Sequence, residues 1–103
     1  MMEDLCIVVA TSKKSFHNVY SLLESIDTKI VSKKNVIVVS GQEDYDGCSF
    51  IDGYYCKHVT YTGLHLTSFI YIYENLQYYK SIKWWVMIPD TVQIGGSFFE
   101  KLQ

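Results

Sequence analysis

The sequence predicts an α/β fold: an open, mostly parallel, Rossmann-like sheet of about four strands with helices on both faces. Three observations carry that expectation. Two continuous β-branched runs, residues 5–10 and 35–40, read as strands covered on both faces, as in a parallel sheet. Between them Phe16, Val19, Tyr20, Leu23 and Ile26 recur at helical spacing, so strand, helix and strand make a right-handed βαβ unit. A length of 103 residues with 49% apolar and 19% charged residues describes one globular domain, 1–103, with one core. A chain this short buries only roughly 60–68% of the surface it exposes when unfolded, so a partner or further chain covering one side would add stability.

The elements follow in order. Residues 5–10 form the first strand, and the hydroxyls of residues 11–15 suit the start of a helix of about three turns. After a polar break at 32–34 comes the second strand, centred on Val36, Ile37, Val38 and Val39. Residues 41–53, rich in Gly, Asp and Ser, read as a loop beyond its carboxyl end, and residues 54–60 as a third, shorter strand. Residues 64–79 are ambiguous, because Tyr, Ile, Phe and Thr favour a strand while Leu66, Phe69, Ile70, Tyr73 and Leu76 fall at helical spacing. Their length, with Thr62 and Gly63 before them, favours a helix. Residues 83–88 make the fourth strand, stopped by Pro89, whose missing N–H cannot continue a central ladder. Ser97-Phe98-Phe99-Glu100 matches a capping box and begins a last helix. No repeat or Pro-rich linker divides the chain.

Composition sets several function classes aside. A net charge of −2 and a pI near 5.8 offer no general attraction to phosphate backbones, and the pairs Lys13-Lys14 and Lys33-Lys34 are too short for a basic stripe. Nucleic acid and anionic membrane are therefore disfavoured. The most apolar stretch, 64–73, contains His65, Thr67 and Ser68 and soon meets Glu74, so no transmembrane segment is expected. Glu3 and Asp4 stand where a signal peptide would be basic, which gives a cytoplasmic expectation. Cys6, Cys48 and Cys56 cannot all pair and lack C-x-x-C spacing, so they read as reduced thiols, Cys6 packing as a small hydrophobe. His17, His58 and His65 share no metal-ligand spacing with them.

In such sheets ligands bind at the carboxyl ends of the strands, near the point where strand order reverses. Three loops qualify: 11–15, 41–47 and 89–96. In the first, Thr11 and Ser12 either face a phosphate or base at a helix N-terminus or simply cap the helix. The absence of G-x-G-x-x-G and of G-x-x-x-x-G-K-[ST] leaves a dinucleotide oxidoreductase and a P-loop NTPase unsupported. In the second, Glu43, Asp44 and Asp46 either accept hydrogen bonds from ribose hydroxyls or a base edge, or form a solvated turn at Asp46-Gly47. In the third, Asp90 is delivered to the sheet edge by an apolar strand, where it either binds a divalent cation bridging diphosphate oxygens or caps a turn before Gly95 and Gly96. The pairs Tyr54-Tyr55, Tyr78-Tyr79 and Trp84-Trp85 cannot all face one core in regular structure, so some rings are expected at the surface, either to stack on a base or sugar or meet a protein, or, as the commoner case, in half-buried packing.

The segments Ile7-Val8-Val9-Ala10-Thr11, Val36-Ile37-Val38-Val39-Ser40-Gly41-Gln42-Glu43-Asp44 and Trp84-Trp85-Val86-Met87-Ile88-Pro89-Asp90-Thr91, with Gly95-Gly96-Ser97-Phe98-Phe99 after them, together resemble the amino-terminal half of a GT-A fold, family-2-like glycosyltransferase. The likeness spans nearly all of the chain as a pattern of strands and loop ends. It implies a nucleotide-diphosphate sugar as ligand, with Thr11, Ser12, Glu43 and Asp44 at the nucleoside, and Asp90 and Thr91 at the diphosphate. It also implies Mn²⁺ or Mg²⁺ on Asp90. Where that family usually shows paired acids, this chain has Pro89-Asp90-Thr91-Val92, and a single carboxylate lowers the expected metal affinity. The family's acceptor-binding and catalytic-base residues lie beyond the position of Gln103. The resemblance therefore implies a donor-binding domain, truncated or degenerate, with hexosyl transfer only if the rest of a catalytic domain is present. The competing expectation is a non-catalytic α/β protein-interaction module whose exposed aromatics are covered in a homo-oligomer or by a further chain.

Overall fold

In the computed structural model, which describes residues 3–60 and 66–90, the two β-branched runs lie side by side at the centre of one sheet. β1 (Leu5–Ser12) and β2 (Val36–Gly41) pair in parallel, from Ile7 opposite Val36 to Ser12 opposite Gly41. Val8, Val9, Val38 and Val39 are fully buried there, each contributing about 1.5–3 kcal/mol of hydrophobic stabilisation. β3 (Gly47–Ile51), β4 (Tyr54–His58) and β5 (Trp84–Pro89) complete the order β3-β4-β2-β1-β5. β4 runs parallel to β2 and β5 parallel to β1, whereas β3 is antiparallel to β4, so the sheet is mixed. The parallel strands progress outward from β1 through β2 to β4, and the chain then returns to set β5 on the other side of β1. Strand order thus reverses between β1 and β5.

Side-chain alternation along the strands divides the core into two layers. Leu5, Ile7, Val9, Val36, Val38, Cys56 and Ile88 face α1 (Asn18–Glu24) and its buried Val19, Leu22 and Leu23. Cys6, Val8, Ile37 and Val39 face the other way, toward Tyr71 and Ile72 of α2 (Leu66–Asn75). Among the described residues one helix therefore packs on each face.

Several expectations need correction. Among the described residues the sheet has five strands rather than about four, because β3 lies within the segment expected to be a loop. Its hairpin turns on Asp52 (φ 51°) and Gly53 (φ 87°), a two-residue connection in which both residues take positive φ. That geometry matches strand twist and favours Asp-Gly, so the dipeptide is a hairpin signal that loop-rich composition obscured. α1 is seven residues long rather than about three turns, since Phe16 and Ile26 lie in tight i→i+3 turns at its ends. α2 ends in a 3-10 turn, Leu76–Tyr78. Of the apolar positions at helical spacing, Ile70, Tyr73 and Leu76 are exposed, while Tyr71 and Ile72 face the sheet. The expected capping box at 97–100 lies outside the described residues. Pro89 does not stop the strand before it: β5 is an edge strand, the Pro89 nitrogen faces its open side where no ladder bond is lost, and the next N–H, of Asp90, donates to the Ala10 carbonyl at 3.0 Å.

Candidate functional site at the carboxyl ends of the strands

Four polar side chains form a row across the carboxyl ends of the parallel strands. The ladder aligns His58 of β4 with Ser40 of β2, and Ser40 with Thr11 of β1. Asp90 extends the row one step past the Pro89–Ala10 pair. By alternation all four share the α1 face with Cys56, Val38, Val9 and Ile88, so a polar tier closes the apolar layer. Each is buried: His58 at 8% exposure, Ser40 at 0%, Thr11 at 7% and Asp90 at 9%.

Burial of a polar group requires a hydrogen-bond partner, and the two ends of the row meet that demand in different ways. At the β1–β5 end, the hydroxyls of Thr11 and Ser15 both donate to Asp90 Oδ2, each at 2.7 Å. Ser12 lies one step out, its Oγ 3.0 Å from Ser15 Oγ and accepting from the Ser15 N–H at 3.4 Å. The residue before α1, His17, makes no side-chain cap bond. Thr11 and Ser15 therefore serve the carboxylate rather than the helix end. In the middle of the row, Ser40 Oγ is a buried hydroxyl with no hydrogen-bond partner.

At the β4 end, His58 Nδ1 lies 3.0 Å from Glu43 Oε2 and Nε2 lies 2.9 Å from Ser49 Oγ. The His58 and Glu43 side chains are 10% and 11% exposed. The imidazole stacks with Phe16 and with Tyr45, their centroids 6.1 and 5.5 Å away. Glu43 is held in place by its N–H donating to the Val59 carbonyl at 3.0 Å.

The structure thus brings Thr11, Ser12 and Asp90 together and sends Glu43 and Asp44 elsewhere on the same edge. Glu43 engages His58, and Asp44 forms an ion pair with Lys13. The Asp44 hydrogen bond and its charge raise the Lys13 ammonium above its usual pKa, but so exposed a pair adds little stability. Asp46 accepts from the Thr60 N–H at 3.2 Å. Thr91 lies outside the described residues. Sequence reading missed Ser15, Ser40, Ser49 and His58. Ser40 left a signal, a hydroxyl at the end of an otherwise apolar buried run; His58 left another, falling two residues after Cys56 in an alternating strand.

Among the described residues no group of three or more His, Cys, Asp or Glu side chains could hold a metal. Asp90 can offer one carboxylate, which suits a cation that takes its remaining ligands from phosphate and water. A cleft of about 400 Å³, bordered by Asp46, Lys57, Thr60 and Glu74, opens beside the carboxyl end of β4. A larger one of about 630 Å³, bordered by Glu3, Asp4, Asn35 and Lys83, lies at the amino ends of the strands, away from the edge where such sheets bind ligands.

No protein-family model matches the chain, and neither a curated protein nor a solved structure is significantly similar to it. Among the described residues no helix is long and apolar enough to cross a membrane.

Proposed function

We propose that this domain binds a nucleotide-diphosphate sugar at the carboxyl ends of its parallel strands, as the donor-binding part of a GT-A-like, Rossmann-related glycosyltransferase. The observation that carries the reading is Asp90, which stands where strand order reverses and is oriented by the Thr11 and Ser15 hydroxyls. Both donors meet Oδ2, so the carboxylate is held in place at the strand ends. Thr11 and Ser12 border the nucleoside together with Asp44, Glu43 being taken up by His58, and Asp90 borders the diphosphate. Asp90 would be the residue that holds a Mg²⁺ or Mn²⁺, whose chemistry there would be to neutralise diphosphate charge. The proposal is binding; transfer requires acceptor-side groups that none of these residues supplies.

The test is a titration of the protein with UDP, GDP and their hexose conjugates, followed by amide NMR shifts with Mg²⁺ and by line broadening with Mn²⁺. Expected are shifts at Thr11, Ser12 and Asp90 and Mn²⁺ broadening centred on Asp90. No perturbation there at millimolar ligand would sink the donor reading. A second reading, a protein-interaction module, is favoured by Phe50 on β3 and Trp84 on β5, 71% and 66% exposed on the two edge strands. In the same samples, ligand-free shifts at these residues that grow with protein concentration would support a homo-oligomer.

A further inference from the structure

Ser49, His58 and Glu43 stand in the relative positions of a nucleophile, its general base and the group that orients that base. We infer that they form a second site, independent of donor binding, at which Ser49 is acylated by carboxylic esters. A carboxylate can only accept, so His58 must carry its proton on Nδ1 and donate it to Glu43 at 3.0 Å. Nε2 of the neutral ring is then an acceptor, and the Ser49 hydroxyl donates to it at 2.9 Å. This is the hydrogen-bond order that activates a serine.

The surroundings suit the role. Phe16 and Tyr45 stack with the imidazole, and the ring and the Glu43 carboxylate are largely withdrawn from water, whereas Ser49 is exposed to an incoming substrate. In a hairpin closed at Ile51–Tyr54, the backbone groups of Ile51 and Ser49 bond across to β4 and those of Phe50 point to the sheet edge. The N–H of the residue after the nucleophile is thus available to a developing oxyanion. The Tyr45 ring, half exposed beside His58, offers an aromatic wall that fits an aryl ester.

The step balances with water as the co-reactant. Ser49 Oγ bonds to the carbonyl carbon as its proton passes to His58 Nε2; the ester C–O bond then breaks and the leaving alkoxide takes that proton. Water attacks the acyl-Ser49 ester, giving its proton to His58, and the carboxylic acid leaves as Ser49 regains a proton. Glu43 stabilises the imidazolium in both halves and is a positioning residue.

The experiment is labelling of the whole chain with an alkyl fluorophosphonate, which forms a Ser Oγ–P bond and releases fluoride, mapped by peptide mass spectrometry. Ser81, exposed in a turn, is the internal reference. In the folded protein Ser49 should react about 100-fold or more faster than Ser81, the scale of general-base assistance, and in concentrated urea the two rates should converge. His58→Gln should bring Ser49 down to the rate of Ser81, and Glu43→Gln should slow it about tenfold or more. Equal rates in the folded wild-type protein would overturn the assignment and leave the three side chains as a clasp on β3. So would a Ser49 rate that His58→Gln leaves unchanged in a variant whose NMR spectrum shows it folded.

Discussion

Asp90 carries a charge at a position 9% exposed, and only its partners make that tolerable. Each charge-assisted bond from Thr11 and Ser15 contributes about 1.5–3 kcal/mol, partly offset by the desolvation of the carboxylate. Asp90→Ala leaves both hydroxyls without their acceptor, so urea unfolding should show a loss of about 2 kcal/mol. Asp90→Asn, which keeps one carbonyl oxygen, should lose less. A change below about 0.5 kcal/mol for the alanine variant, the range of ordinary surface substitutions, would mean that the hydroxyls find equally good partners elsewhere. At this scale the sequence was partly legible. A carboxylate after an apolar strand and a proline marks a sheet edge by itself, and Thr11 follows from the same reasoning at β1. Ser15, Ser40 and His58 did not, because their burial and partners arise only when strands distant in the chain come into register.

For the elements, the helix α2 separates what periodicity can and cannot say. Residues 69–73 are apolar or aromatic throughout, so a helix here is legible but its inward face is not. Packing chose Tyr71 and Ile72, and the Tyr71 hydroxyl meets that of Tyr79 at 2.9 Å, while Tyr73 remains 80% exposed. Ile72→Ala should therefore cost about 2 kcal/mol or more by creating a cavity. Tyr73→Ala should stay within about 0.5 kcal/mol. Denaturation midpoints in the opposite order would put the other face of α2 on the sheet. The aromatic pairs follow the same division: Tyr54 is buried, Tyr55 and Trp85 lie half-buried against the α2 layer, and Trp84 is exposed. That each strand pair must split was readable from alternation alone; which member goes inside was not.

Across the whole molecule, the two apolar layers each enclose one thiol. Cys6 lies in the α2 layer at 1% exposure and Cys56 in the α1 layer at 0%. Desolvation pushes both thiols up from their usual 9.0 to about 12, and burial likewise raises the phenols of Tyr71 and Tyr79. Above pH 9 the unfolded chain releases thiol protons that the native chain retains, so stability falls as pH rises, and the loss saturates near pH 12. Each thiol contributes a slope of about 1.4 kcal/mol per pH unit within that window. Urea midpoints should decline steadily from pH 9 toward 11, with a shallower slope in a Cys6→Ala, Cys56→Ala double variant. A flat profile in the wild-type protein would contradict the burial of these thiols.

Local chemistry alone determined the two central strands, a helix after each of two strands, the proline at the end of β5 and the carboxylate beyond it. These depend on side-chain type and short-range periodicity, which the chain carries wherever it folds. Tertiary structure alone decided the inward face of α2 and the polar row His58-Ser40-Thr11-Asp90, whereas the antiparallel β3 had a local signal in Asp52-Gly53. Register between strands, not sequence separation, sets which side chains share a tier, and solvent is excluded from that tier only once α1 and the sheet have met.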